Sequence, residues 1–151
     1  QWGPLTVIVG QTFARLDTVR RQCARVGAEL KIDVSADALA EALASHRLAL
    51  ITGGVIVYEA MAVGIPAVVI RQVANLIAEA KWFATHGCIH DLGFDGGMNP
   101  EAVAIAVTRL LRDDRLANDM SAQSRRTIDG QGIVRAAAAI TGMLRASART
   151  S

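Results

Sequence analysis

The chain has 151 residues, 52% of them apolar and 20% charged, with a net charge of +2 at pH 7. A domain of this length buries about 70% of the surface its unfolded chain exposes, which excludes disorder and any need for disulfide staples. Its 27 alanines against 6 aromatics, with near-balanced charge, exclude an aromatic or strongly basic nucleic-acid platform and favour helices packed closely on something flat.

Short runs rich in β-branched residues alternate with helix-period segments, the signature of βαβ units. Leu5 to Val9 reads as a buried strand turned by Gly10, and a helix from about Phe13 to Val26 carries Leu16, Val19, Cys23 and Val26 on one face before Gly27 ends it. A second strand spans Glu29 to Val34, and Ser35 is placed to cap a helix from about Asp37 to Ser45. The third strand, Leu48 to Thr52, runs straight into Gly53-Gly54 and a helix from Val55 to Val63 stopped by Gly64. Ile65 to Ile70 is a fourth strand with Pro66 at its start, where the ladder tolerates it.

Helix resumes from about Asn75 to Thr85, a short fifth strand covers Gly87 to Asp91, and Gly93 to Asn99 is a loop. Three helices follow: Pro100 to Arg112, Asp114 to Ile128 and Ile133 to about Ala146. The predicted fold is therefore α/β, a Rossmann-like three-layer sandwich with an open, mostly parallel sheet of about five strands and helices on both faces. Ligands of such sheets bind beyond the carboxyl ends of the strands, so the loops after Val9, Val34, Thr52, Ile70 and Asp91 are the candidate sites.

Cys23 and Cys88 stand far apart in no paired motif, which fits a reducing cytoplasm, and no apolar run approaches the ~20 residues that span a bilayer. His86, Cys88 and His90 alternate on one extended face, but three ligands two residues apart are poorly placed for a tetrahedron, so no metal site is assigned. Nucleophile-elbow, Walker and dinucleotide-binding fingerprints are absent, and a nicotinamide cofactor is not expected.

The informative turn is Leu48-Ala-Leu-Ile-Thr-Gly-Gly-Val-Ile-Val-Tyr-Glu59. Two glycines let the backbone approach a ligand, the helix start offers free N–H groups and partial positive charge, and the combination is chemically a phosphate site. Glu59 lies about one turn in, where a carboxylate can accept hydrogen bonds from paired sugar hydroxyls. A strand-to-helix turn also uses Gly-Gly for geometry alone, and the turn by itself leaves that reading open.

The segment Asp37 to Gly93 resembles the C-terminal, nucleotide-sugar-binding domain of GT-B-type glycosyltransferases. Within that superfamily it is most similar to the UDP-sugar hydrolases of the pseudaminic acid pathway, and more distantly to the lipid II-forming N-acetylglucosaminyltransferases. The resemblance rests on Ala38 to Gly54, on Tyr58-Glu-Ala-Met-Ala-Val-Gly-Ile-Pro66 and on Asn75-Leu-Ile-Ala-Glu79. Gly87, Leu92-Gly93, Met120-Ser121 and Asp129-Gly-Gln-Gly132 extend it.

It implies that Gly53, Gly54 and the helix start at Val55 approach the diphosphate and that Glu59 holds the ribose. The loop at Val34-Ser35 would read the uracil edge, and Asn75 would lie near sugar or phosphate. Val55 and Ile56 stand where the family places hydroxyls, and Leu76 replaces a glutamine, so polar contacts are lost.

The resemblance further implies a parent with two domains, whose catalytic base lies in a preceding domain. Residues 1–151 then form a single-domain fragment, the C-terminal half, that binds a UDP-sugar substrate without a resident cofactor or metal and does no chemistry alone. Partners would be that missing N-terminal domain and, for the isolated piece, a second copy along the smooth helix Ile133 to Ala146. Membrane association would be peripheral and through the parent only. The parent would act in bacterial surface-polysaccharide or nonulosonic-acid synthesis. The rival reading is a non-catalytic, degenerate α/β domain retained for packing or protein interaction, with Val55, Ile56 and Leu76 as its support.

Overall fold

The computed structural model describes residues 3–71, 77–94 and 99–147. The chain divides into two compact units, Gln1–Glu41 and Ala42–Ser151. The fold is α/β, with parallel strands alternating with helices as the hydrophobic pattern predicts.

In the first unit, β1 (Thr6–Val9) and β2 (Glu29–Ile32) pair in parallel, Thr6 opposite Glu29 and Val9 opposite Ile32. The helix between them, α1 (Leu16–Val26), buries Cys23 and ends on Gly27, whose left-handed φ of 69° lets its N–H reach the Cys23 carbonyl. Helix α1 starts later than its periodicity predicts, because Phe13 N–H bonds back to Gly10 in a preceding turn and leaves the ring exposed. Strand β2 stops at Ile32 rather than Val34 because Asp33 adopts φ 53°, which extended backbone does not allow. Ser35 caps α2 (Ala36–Ser45) as its position predicts, Oγ accepting from Ala38 N–H at 3.2 Å.

The second unit is built on a three-stranded parallel sheet in the order β3 (Ala49–Ile51), β4 (Ala67–Arg71), β5 (His90–Phe94). Every residue of the central strand β4 is buried. Alternation along it serves two faces. Val68 packs with Ala106, Leu110 and Met120 from α5 (Pro100–Arg112) and α6 (Asp114–Thr127), whereas Val69 faces Val57 of α3 (Val55–Val63) and Phe83 of α4 (Ile77–Thr85). Helices thus cover both sides of this sheet. The five strands predicted for one sheet are present, but they pair as two sheets of two and three strands; β3, only three residues long before Gly53, pairs with β4 alone.

Local chemistry sets the helix ends. Asn99 accepts from Glu101 and Ala102 N–H with Pro100 at the first position of α5, and Asp113 accepts from Leu116 N–H to open α6. Gly87, at φ 72°, closes α4, and β5 therefore begins three residues later than the predicted Gly87 start. Helix α6 is tied in by several side chains, Ser124 and Arg125 among them. Buried Ser124 Oγ donates to the Cys88 carbonyl at 2.7 Å, and Arg125 Nη1 donates to the Val63 carbonyl at 3.2 Å. Arg125 is exposed but packs directly over Gly64. The last helix, α7 (Gly132–Ser147), exposes Ile133, Val134, Ile140, Met143 and Leu144. Among the described residues no helix is long and apolar enough to cross a membrane.

Candidate functional site

The carboxyl ends of β3, β4 and β5 carry the groups that matter. β3 passes through Thr52 into two successive glycines, both at φ 85°, and Gly54 has ψ −158°. That combination belongs to backbone only glycine adopts, so the pair is needed for the turn itself. A Cβ added at Gly54 would meet nothing within 4 Å, so the turn faces open space. No side chain caps α3, and Val57 N–H, reaching back to Gly54 at 3.1 Å, makes a tight first turn. The start of α3 therefore presents backbone donors and the positive end of the helix dipole to solvent.

Beside this turn lies a small cleft bordered by Gly53, Gly54, Tyr58, Arg71, Glu79 and Phe83. Its enclosed volume of about 20 Å³ holds roughly one water, so any larger ligand must rest on its open side. Arg71, the last residue of β4, is only 6% exposed. Its Nε donates to Asp91 Oδ1 at 3.0 Å, and the same oxygen accepts from Gly93 N–H at 2.9 Å, so Asp91 is fixed from two sides. On the other wall the Tyr58 ring meets Phe83 edge to face at 5.5 Å. Burial, together with the neighbouring Glu79 carboxylate that takes its hydroxyl hydrogen bond, raises the Tyr58 pKa above its ordinary value.

The residues singled out in the sequence are distributed as follows. Gly53 and Gly54 border the cleft; Val55, 74% exposed, stands at the mouth of the turn with only its backbone to offer. Glu59 is half-buried on α3, outside the cleft lining, where Tyr58 stands instead. Val34 and Ser35 belong to the first unit, half-buried and exposed respectively, with Ser35 engaged in its cap. Asn75 lies outside the described residues.

His86, Cys88 and His90 have other occupations. His86 stacks on Trp82 at 3.8 Å and bonds its carbonyl, Cys88 Sγ meets Thr127 Oγ1 at 3.4 Å, and His90 opens β5. Among the described residues no three His, Cys, Asp or Glu side chains converge as metal ligands.

Sequence reasoning missed Arg71, Asp91 and Tyr58. A charged residue closing an otherwise apolar run, Ala67-Val-Val-Ile-Arg71, was the available signal for the first.

No family model matches the chain. It is 28% identical over 131 residues, 87% of its length, to the spore coat polysaccharide biosynthesis protein SpsG of Bacillus subtilis (strain 168), and it spans 38% of that protein's length. The chain is thus a distant relative of part of SpsG.

Proposed function

We propose that this chain is the nucleotide-sugar-binding part of an enzyme of polysaccharide biosynthesis, with a UDP-sugar as its ligand and the reacting groups supplied from elsewhere in a larger protein. The observation that carries the reading is the uncapped start of α3 behind two glycines of φ 85°, at the carboxyl end of a parallel sheet. Such a turn holds a diphosphate by backbone donors and the helix dipole. In a glycosyl transfer or a hydrolysis those donors stabilise the departing nucleoside diphosphate, without an obligatory metal. The similarity to SpsG, named for spore coat polysaccharide biosynthesis, supports the pathway class. Glu59 is assigned the ribose and Asn75 the sugar or phosphate. The parent is assigned to the GT-B superfamily, as a glycosyltransferase or a UDP-sugar hydrolase.

A rival reading, a domain that has lost its nucleotide and serves packing, is favoured by the size of the cleft and by the bare methyls of Val55 at the start of α3. Titrating UDP and UDP-N-acetylglucosamine into the 15N-labelled chain separates the two. Saturable shifts at the amides of Gly53, Gly54 and Val55, lost in Gly54→Val, are expected. No response at millimolar ligand would establish the rival.

A further inference from the structure

We propose that Arg71 is the anion-binding cation of this site, donating through its Nη groups to the phosphate oxygens that the hydroxyl-free start of α3 engages only through backbone. For the identity of the ligand beyond its phosphates, this rests on the nucleotide-sugar reading above. Arg71 borders the same cleft as Gly53 and Gly54, and it is the sole cation among the described residues that do so. Its burial is costly unless the charge has a use or a full set of partners. Asp91 pairs with the guanidinium and accepts its hydrogen bond from Nε, and among the described residues no hydrogen bond is donated by the Nη groups.

The orientation is set from behind. Asp91 is itself held by Gly93 N–H and takes the edge of the guanidinium, leaving the planar fork for a second anion. Gly93, at φ 88°, lies beside Nη2, and a Cβ added there would stand in ordinary contact with it at 3.7 Å. Two chemically different donors, the glycine turn and a fixed guanidinium, therefore border one cleft at the ends of neighbouring strands β3 and β4. A diphosphate, with oxygens on two phosphorus atoms, fits that pair better than a single carboxylate does. Glu79 borders the cleft as well, and after burial its carboxylate is the main cause that raises the Tyr58 pKa. Asp91 is thus a positioning residue and Arg71 the contact.

The test is calorimetric titration of inorganic pyrophosphate, UDP and uridine into the 151-residue chain, its Arg71→Gln/Asp91→Asn double variant, and Arg71→Lys. The double variant replaces a buried ion pair by a neutral amide pair, and its circular-dichroism melt checks folding. Pyrophosphate and UDP affinity should fall about 10- to 100-fold in the double variant and less in Arg71→Lys, which keeps the charge but not the fork. Uridine affinity should not change, and the salt dependence of UDP binding should flatten.

Unaltered pyrophosphate and UDP binding in the folded double variant overturns the inference and leaves the UDP-sugar reading standing. If the double variant does not fold, unaltered binding in Arg71→Lys overturns it equally. Arg71-dependent pyrophosphate binding without preference for UDP sustains the inference while the UDP-sugar reading falls. A wild-type chain that binds neither anion overturns both.

Discussion

The Arg71–Asp91 pair shows how one contact constrains two residues differently. Both side chains are over nine-tenths buried, so neither charge is well solvated without the other. Asp91→Ala should destabilise the chain by about 3–5 kcal/mol, because it leaves a buried guanidinium alone; urea denaturation reads this directly. Gly64 is a second sensitive position. It closes α3 at φ 78°, and a Cβ there would run into the Arg125 side chain, so Gly64→Ala should cost about 1–3 kcal/mol on the same assay.

Asp129 is sensitive to pH instead. It accepts both Nη groups of Arg135, at 2.6 and 2.9 Å, and Gln131 N–H at 3.0 Å; chiefly the bond to Arg135 holds its pKa at about 2 against 3.8 in a free side chain. Because the folded value is the lower one, this contact favours the ordered start of α7 above pH ~4, and the benefit disappears as pH falls through about 2. A carboxyl-carbon NMR titration of Asp129 with an ordinary midpoint near 3.8 would show that the contact does not persist in solution.

Among the elements, α6 contributes most through polar contacts. Ser124 is fully buried and satisfies the Cys88 carbonyl ahead of β5, so Ser124→Ala should cost about 1–3 kcal/mol, more than an exposed hydroxyl on the same helix. Helix α7 is the contrast. Its large apolar side chains are exposed, and Ile140→Gln with Leu144→Gln should shift the stability of this chain by no more than about 0.5 kcal/mol.

The same elements show what is legible in sequence. Strand and helix order, the Ser35 cap, the Pro100 start and the glycine stops follow from local propensity and periodicity, which act within a few residues. The end of β2 and the start of α1 do not, because Asp33 and Phe13 take turn conformations that their residue types do not announce. In the site, the Gly53-Gly54 turn is local and readable. The Arg71–Asp91 pair, 20 residues apart in sequence, exists only through the β4–β5 pairing: the charge closing the apolar run at Arg71 is visible in sequence, its partner is not. Arg125 over Gly64 is hidden for the same reason.

For the molecule as a whole, burial is uneven. The first unit contributes Cys23 to the buried apolar set, whereas the second holds an entirely buried central strand and the cluster around Val68. Amide hydrogen exchange should therefore be slowest in β4 and faster in β1 and β2, since local opening costs least where least apolar surface is covered. Equal protection in the two sheets would show that the units open together.

The two cysteines give this unevenness a chemical handle. Cys23 and Cys88 are both buried free thiols, one in each unit, 6% and 0% exposed. A thiol reagent attacks only the exposed thiolate, so each sulfur behaves as a clock that runs when its own surroundings open. Two labelling rates, separated by mass spectrometry of the peptides, would time the breathing of each half without any engineered probe.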